Sequence, residues 1–276
     1  MARTSGQAPA ANGIVTLLTD FGSADAFAGI MKGMMLRVNP RARLVDLTHE
    51  IPPHDIVAGA LVLRSATPYF PRATVHLAVV DPGVGSTRRA VAIATDTATF
   101  VGPDNGLLIP ALRQSRIRTA RAIDIAHLQK RKLLGAAISQ TFHGRDVFAP
   151  VAAWLSKGGA LSALGPAAND LVELRLPVSR VTDDALDGEV IYVDRFGNLV
   201  TNVTAEDLTR FRRRTVSVSI AGMRIGGLVS SYASVADGEL LAIIGSWDLL
   251  EIAAHGANAA QRLAAGRGTS VRIAAE

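Results

Sequence analysis

Residues 74–89 read TVHLAVVDPGVGSTRR, and they indicate both the fold class and the position of a candidate site. Its first part is mostly apolar and β-favouring, which predicts a buried strand. The run stops at Asp81, a glycine-rich turn follows, and Arg88 and Arg89 end the stretch. In open α/β sheets, ligands bind just beyond the carboxyl ends of the strands. Asp81 and the Arg88 guanidinium therefore predict a polar site, although a strand end with a turn and a surface ion pair fits the same residues.

Strands and helices alternate on both sides of this stretch. Amphipathic helices are expected at residues 27–38 and 56–65, because apolar residues recur there at helical spacing. Strands are expected at residues 14–19, 43–48, 74–80 and 90–95. This order predicts an α/β fold, in which an N-terminal, mostly parallel sheet is flanked by helices. A further helix is expected at residues 147–155, with Pro150 near its first turn.

The pattern changes after about Gly165, where short β-rich runs replace helices. They predict a smaller C-terminal antiparallel β domain, with one helix at residues 257–264. The expected organisation is a disordered tail at 1–13, an N-terminal α/β domain at 14–172, a connector at 173–187 and a C-terminal β domain at 188–276.

The amino-acid composition restricts the class of protein. With 276 residues, 49% hydrophobic and 19% charged, the chain is expected to be globular rather than disordered. No apolar run reaches transmembrane length, and the N-terminus lacks the apolar core of a signal peptide, so no membrane partner and a cytoplasmic location are expected. The lack of cysteine excludes disulfides, thiolate metal sites and Cys nucleophiles.

The net charge of +5 comes largely from two basic clusters. One runs from Arg113 to Lys132, and the other contains Arg210 with residues 212–214. Phe211 is the one aromatic residue within these clusters and no nucleic-acid motif is present, so a solvated face is favoured and no nucleic-acid partner is expected.

Two side chains of the first domain could carry chemistry besides Asp81 and Arg88. Asp20 follows the first predicted strand, where a carboxylate can accept two hydrogen bonds from a vicinal diol; a helix N-cap or a turn is the alternative. His143 lies in a turn before a helix, where it could act as a base or a hydrogen-bond donor, or be purely structural. The other histidines show no metal-ligand spacing, and no metal site is expected.

The motif DRFGN at residues 194–198 follows a predicted strand of the second domain. Asp194, Phe196 and Asn198 supply an acid, an aromatic face and an amide, which could hold an amine, stack on a ring and read a base edge. A hairpin turn explains the same residues. The chain has no GxGxxG or P-loop motif for phosphate.

Six ordered motifs together resemble those of the S-adenosyl-L-methionine hydrolases (adenosyl-hydroxide transferases), the group that also includes the fluorinases and chlorinases. The resemblance runs from about Ile14 to the C-terminus. The motifs are LTDFG at 18–22, DLTH at 46–49, VDPGVG at 80–85, VGPDNG at 101–106, TFHGRD at 141–146 and DRFGN at 194–198.

The resemblance implies that Asp81, Arg88 and His143 form the polar set beside the reacting carbon. Halogenating members lack this set and carry an aromatic residue where Asp81 stands. The resemblance therefore implies water rather than halide as the nucleophile: S-adenosyl-L-methionine would be hydrolysed to adenosine and L-methionine by attack at the ribose C5′. It implies a substrate but no cofactor.

The resemblance also implies substrate contacts. Asp20 would bind the ribose hydroxyls, and Asp194 the methionine amino group. Phe196 would pack on the adenine, Asn198 would hydrogen-bond it, and Ser246 would lie near the methionine carboxylate. Trp247 departs from the usual residue beside Ser246, and no role is assigned to His54. Members are similar in being homotrimers with each site between two subunits.

Three other functions stay open. The first is a halogenase of the same family, against which Asp81 argues. The second is a metal-dependent phosphatase, because Asp20 and Asp25 could hold a divalent ion at a strand end. The third is a non-catalytic nucleoside-binding module.

Overall fold

The computed structural model describes residues 11–211 and 215–275. The chain folds into two compact units, unit 1 (Met1–Leu174) and unit 2 (Arg175–Glu276). Most of the predicted tail and residues 212–214 of the second basic cluster lie outside the described residues. Asn12, in the described end of the tail, donates from Nδ2 to the carbonyl of Arg72 (2.9 Å) and to Thr74 Oγ1 (3.1 Å), which fixes this part to unit 1.

Unit 1 is built on a mixed six-stranded sheet. Its strands are β1 (Ile14–Thr19), β2 (Arg43–Thr48), β3 (Val75–Val79), β4 (Ala90–Thr95), β5 (Thr99–Pro103) and β6 (Ile117–Ala122). Their order in the sheet is β2-β1-β3-β5-β4-β6. The first four strands of this order pair in parallel, whereas β4 pairs antiparallel with β5 and β6. The predicted α/β class with a mostly parallel N-terminal sheet is confirmed.

Helices cover both faces of this sheet. They are α1 (Phe27–Val38), α2 (Ile56–Ala66), α3 (Ile109–Leu112), α4 (Ile125–Lys130) and α5 (Ala149–Ser156). Met31 and Met35 of α1 share one apolar core with Val151 of α5 and Leu17 of β1. On the opposite face, Gly59 lets α2 approach the sheet closely, since a Cβ there would lie 3.0 Å from Val80 Cγ2. Burial on both faces explains why β1 and β3 are nearly continuous apolar runs.

Two strands of unit 1 were not predicted. Strand β5 ends inside the motif VGPDNG, whose glycines and proline indicate a turn. Strand β6 is rich in arginine and reads as part of a basic cluster, but it is an edge strand, and Arg118 pairs with Asp96. Among the described strands it pairs with β4 alone, and none of its residues is fully buried, so its apolar pattern is weak.

The helix expected at 147–155 begins differently. A π-helical turn, Gly144–Phe148, leads into α5 at Ala149. Pro150 lies in the first turn of α5, where its missing N–H is tolerated. Such π-helical turns often occur at functional sites.

Unit 2 is an antiparallel sheet. Its strands are β7 (Arg180–Val181), β8 (Ala185–Val193), β9 (Leu199–Thr204), β10 (Val216–Ile220), β11 (Met223–Gly226), β12 (Leu240–Ile244), β13 (Leu249–Ala254) and β14 (Ser270–Ala275). The order is β11-β10-β14-β8-β9-β13-β12, with β7 paired to β8. Two helices, α6 (Ala205–Phe211) and α7 (Ala259–Leu263), accompany it. The antiparallel β character expected of the C-terminal region is confirmed.

Several boundaries of unit 2 differ from expectation. The segment 173–187, expected as a connector, contains β7 and the start of β8. Strands β9 and β13 were not predicted, because neither LVTNVT nor LLEIAA alternates regularly between apolar and polar residues. Both strands lie inside the sheet and are almost wholly buried.

Among the residues that the structure describes, no helix is both long and apolar enough to cross a membrane.

Candidate active site

Asp81, Arg88 and His143 form one hydrogen-bonded cluster in unit 1. Arg88 Nε donates to Asp81 Oδ1 at 2.8 Å, and Arg88 Nη2 donates to Asp81 Oδ2. The same Nη2 lies 2.9 Å from His143 Nδ1. The Asp81 and Arg88 side chains are only 5% and 11% exposed. A bidentate pair of this kind fixes both side chains and keeps the carboxylate oriented.

The contact with Arg88 sets the tautomer of His143. A guanidinium has no acceptor, so His143 Nδ1 must accept and the proton of the neutral ring sits on Nε2. Burial lowers the pKa of His143, and the positive charge of Arg88 lowers it further, against smaller opposing effects of Asp81 and Asp146. At neutral pH the ring is therefore uncharged and presents an Nε2–H donor.

The turn after β3 brings Arg88 back to Asp81. Val84 N donates to the Asp81 carbonyl (3.2 Å), and Ser86 N donates to the Gly83 carbonyl (3.1 Å). Gly85 has φ +77°, and a Cβ there would lie 2.4 Å from the carbonyl oxygen of Gln140. Glycine at this position thus lets the turn lie against the segment that leads to His143.

Aromatic and ionic contacts hold the segment around His143. Phe142 packs edge-on against Phe21 and Phe27, with ring centroids 5.8 and 5.3 Å apart. Asp146 accepts a hydrogen bond from Ser139 N (2.9 Å) and pairs with Arg145 (2.7 Å). These contacts fix the backbone on both sides of the histidine.

Asp20 lies at the same edge of the sheet as Asp81. Strands β1 and β3 are parallel neighbours, with Thr19 opposite Val79, so the two acids follow adjacent strand ends. Asp20 Oδ2 accepts a hydrogen bond from the backbone N–H of His54 (2.8 Å). His54 itself has φ 66°, a left-handed conformation that is uncommon outside glycine. Its backbone, rather than its exposed side chain, supports Asp20.

A chain of polar contacts that sequence reasoning missed supports the β1 end. His49 Nδ1 lies 2.8 Å from Thr19 Oγ1, and His49 Nε2 lies 3.0 Å from Asp46 Oδ1. Lys32 then pairs with Asp46 at 2.5 Å. The His49 carbonyl also accepts from Gly22 N at 2.7 Å. The motif DLTH thus fixes the turn that presents Asp20.

In unit 2, Asp194 organises the turn between β8 and β9. Its Oδ1 accepts from the backbone N–H groups of Phe196 and Asn198, both at 2.8 Å, and its Oδ2 accepts from Asn198 Nδ2 at 2.9 Å. The hairpin turn considered from the sequence is therefore present. Phe196 is 77% exposed, whereas Asn198 is buried.

Asp194, Phe196, Asn198 and Ser246 all line one cavity of unit 2. Its volume is about 740 Å³. Other residues of its wall, which sequence reasoning did not identify as site residues, are Tyr232, Glu251 and Asn258; Trp247 is part of the wall as well. Tyr232 OH donates to Glu251 Oε1 at 2.6 Å. The Trp247 ring packs on that of Tyr192, with centroids 5.2 Å apart.

The structure thus groups the predicted residues into two sets. Unit 1 holds Asp20 and the cluster of Asp81, Arg88 and His143 at the carboxyl edge of its sheet. Unit 2 holds the remaining four residues around one cavity. No group of three or more His, Cys, Asp or Glu side chains within residues 11–211 and 215–275 is arranged to hold a metal ion. The structure therefore adds no observation in favour of a metal-dependent phosphatase.

The chain thus belongs to a class of two-unit proteins. An α/β unit with a mostly parallel sheet holds an Asp–Arg–His cluster, and an antiparallel β unit holds a polar and aromatic cavity. The chain matches the SAM hydroxide adenosyltransferase N-terminal domain over residues 15–165 and the C-terminal domain of the same family over residues 188–272. The protein belongs to the SAM hydroxide adenosyltransferase family.

Curated relatives extend over nearly the whole chain. The chain is 41% identical to the "(R)-S-adenosyl-L-methionine hydrolase" of Salinispora tropica, over 95% of this chain and 97% of the relative. It is 38% identical to the protein of the same name from Thermus thermophilus, over 94% and 98%. A "Fluorinase" from an Actinoplanes species is 27% identical over 72% of this chain and 74% of its own length.

Solved structures agree with the fold. A conserved protein from Thermotoga maritima superposes with a TM-score of 0.86 at 34% identity, over 94% of this chain and 99% of that protein. A conserved protein from Thermus thermophilus gives a TM-score of 0.75 at 36% identity, over 94% and 98%.

Proposed function

We propose that this protein hydrolyses S-adenosyl-L-methionine to adenosine and L-methionine. The observation that carries the proposal is the buried Asp81–Arg88–His143 cluster in a chain whose near full-length relatives bear the name of that hydrolase. The fluorinase from Actinoplanes is a more distant relative, because its sequence identity to this chain is lower and covers a smaller part of the chain. The protein is accordingly an enzyme with a small-molecule substrate.

The leaving group needs no acid. Sulfur in the sulfonium is already positive, and it departs from C5′ as a neutral thioether when it takes both electrons of the C–S bond. The difficulty lies with water, which is a poor nucleophile. The site must hold one water molecule in line with the C5′–S bond and accept its proton as the C–O bond forms. Positioning of this kind can contribute several kcal/mol.

The hydrogen bonds of the cluster indicate a separate role for each of its three residues. Arg88 occupies one site on each Asp81 oxygen, and a carboxylate offers about four, so Asp81 retains capacity to accept from water. His143, with its proton on Nε2, donates to the water oxygen and fixes its orientation. In this arrangement Asp81 takes the proton, and Arg88 holds both partners in place. General-base assistance is worth roughly 10²–10⁴-fold.

The other predicted residues bind the substrate. Asp20, oriented by the His54 backbone, accepts from the ribose hydroxyls. In unit 2, Asp194 faces the methionine amino group, Phe196 packs on the adenine, Asn198 hydrogen-bonds it and Ser246 lies near the methionine carboxylate. We propose further that the protein is a homotrimer, in which unit 1 of one subunit and unit 2 of its neighbour complete each site. The cytoplasmic location stays a prediction from the sequence.

Purified protein incubated with S-adenosyl-L-methionine tests the function. Chromatography should show adenosine and methionine in equal amounts, and water labelled with ¹⁸O should place the label on the 5′ oxygen of adenosine. Asp81→Ala and His143→Ala should each lower kcat by about 10²-fold or more, with a much smaller change in KM. Near-wild-type turnover in both variants would refute the assigned roles.

The same assay separates the alternatives. The fluorinase relatives favour halide transfer as the second candidate, and 5′-halo-5′-deoxyadenosine formed with chloride or fluoride would establish it. Tight adenosine binding without any product would instead indicate a nucleoside-binding module. Loss of activity with a chelator would point to metal chemistry.

A further inference from the structure

We propose that Glu251 is a second carboxylate for the ammonium group of the substrate's methionine part, acting together with Asp194. This inference rests on the proposed function. It concerns a residue of the unit 2 cavity for which the sequence motifs imply no role.

Asp194 alone is poorly placed to satisfy an ammonium group. Three of its roughly four acceptor sites already bind groups of its own turn, namely Phe196 N, Asn198 N and Asn198 Nδ2. An ammonium group has three N–H donors. A single remaining acceptor leaves at least two of these donors to other groups of the cavity.

Glu251 has the capacity that Asp194 lacks. It is a residue of the inner strand β13, it is only 7% exposed, and it lines the cavity. Its Oε1 accepts from Tyr232 OH at 2.6 Å, and within the described part of the chain no donor is assigned to its Oε2. Since Glu251 lines the cavity, its Oε2 is available to accept a hydrogen bond from a cationic group bound there.

The surroundings keep the Glu251 carboxylate in one place. Tyr232 reaches it from a short helical turn, Tyr232–Ser234, outside the sheet. Gly245, directly before Ser246, leaves room for it, since a Cβ at that position would lie 2.6 Å from Glu251 Oε2. Both contacts restrict the rotamer of Glu251 before any ligand arrives.

The charge of the cavity favours a cationic group. Its described lining residues include two carboxylates, Asp194 and Glu251, and no Lys, Arg or His. Burial raises the pKa of Glu251, and the charge of Asp194 raises it further, against the lowering effect of the Tyr232 hydrogen bond. Both acids line the same cavity, and an ammonium group bound there would offset the negative charge that they share.

A purely structural Tyr232–Glu251 contact is the competing explanation, and a substrate lacking the amino group separates the two. The experiment compares wild type and Glu251→Gln on S-adenosyl-L-methionine and on S-adenosyl-4-(methylthio)butanoate, in which hydrogen replaces the amino group. Gln preserves the size of the side chain and an oxygen for Tyr232. Glu206→Gln, which neutralises an exposed acid of α6 in the same unit, is the matched control.

We expect Glu251→Gln to raise KM for S-adenosyl-L-methionine by about ten- to a hundredfold, the usual effect of a lost hydrogen bond to a charged group. Its kcat should change little, because Glu251 does not contact the reacting atoms. On the analogue, wild type and Glu251→Gln should have the same KM, and Glu206→Gln should match wild type on both substrates. An equal rise in KM on both substrates, or no rise on either, would overturn the inference.

A binding measurement tests the role of Glu251 independently of the proposed hydrolase activity. Wild type that releases no adenosine refutes the hydrolase, whatever Glu251 does. Calorimetry in the presence of adenosine, with L-methionine and with 4-(methylthio)butanoate, then tests Glu251 directly. Glu251→Gln should weaken only the binding of L-methionine. Equal affinity of wild type for the two ligands, or no binding of L-methionine, would overturn the role of Glu251.

Discussion

Arg88 contacts both of the other polar groups in the unit 1 cluster. Its fork meets the two oxygens of Asp81, and Nη2 also reaches His143 Nδ1 at 2.9 Å. The guanidinium lies over the ring of Phe148, 5.2 Å from its centroid. The parallel hydrogen bonds and the stacking at this residue both depend on the planar shape of the guanidinium.

Arg88→Lys should therefore lower activity although it keeps the charge. A lysine ammonium cannot bind both Asp81 oxygens in parallel and reach His143 as well. We expect kcat for S-adenosyl-L-methionine to fall by about 10²-fold with a small change in KM. Steady-state kinetics would check this, with Arg113→Lys, at an exposed arginine that pairs with Glu173, as control. A kcat within about threefold of wild type would show that the fork is dispensable.

At the scale of elements, the turn at residues 81–88 and the segment before His143 fit together only because Gly85 has no side chain. Its φ of +77° is a left-handed conformation, and the Gln140 carbonyl occupies the space of a Cβ. From the sequence, Gly83 and Gly85 indicate only a turn after the strand. The structure gives Gly85 a different purpose, which is close approach of two backbone segments.

Gly85→Ala should displace this turn. The left-handed backbone alone costs about 1 kcal/mol for alanine, and the contact with Gln140 O adds to it. We expect a loss of roughly 2–4 kcal/mol in the free energy of unfolding together with a clear loss of activity.

The matched control is Gly158→Ala in the same unit. Gly158 has φ +95°, but nothing lies within 4 Å of its Cβ position. Alanine at position 158 therefore has the conformational cost of a positive φ but makes no steric clash. Chemical denaturation of both variants would measure the difference, and equal destabilisation would show that the Gln140 contact is unimportant.

At the scale of the whole molecule, His76 links stability to pH. It lies on β3 in the middle of the unit 1 sheet, is 1% exposed and binds Thr16 Oγ1 through Nδ1 at 2.8 Å. Burial lowers its pKa from 6.5 to about 4. The unfolded chain therefore binds the proton more tightly, so the stabilising contribution is complete above about pH 6.5 and is lost as the pH falls towards 4.

His76→Phe should flatten this dependence. Phe70 and Phe100 already border the ring, with centroids 5.7 and 5.1 Å away, so an aromatic replacement suits the site. Between about pH 7 and about pH 4.5, wild type should lose on the order of 2 kcal/mol more unfolding free energy than the variant. Denaturant titrations at both pH values would measure this. The exposed histidine variant His127→Phe should behave like wild type, and equal losses in wild type and His76→Phe would contradict the assignment.

Features with local causes could be predicted from the amino-acid sequence. Asp20 and Asp81 follow apolar strands, and parallel strands β1 and β3 necessarily bring their ends to one edge, so their neighbourhood could be predicted. The turn at Asp194 was also predictable, because Asp, Gly and Asn favour it through bonds within five residues.

Contacts between residues far apart in the chain could not be predicted and depend on the folded structure. The Arg88–His143 contact spans 55 residues, and the Tyr232–Glu251 contact spans 19. Strands β9 and β13 owe their position to burial between neighbours rather than to their own patterns. The packing of distant segments determines which polar groups come into contact, and hydrophobic periodicity does not encode this packing. For this reason the sequence alone did not identify Glu251 as a residue of the unit 2 cavity.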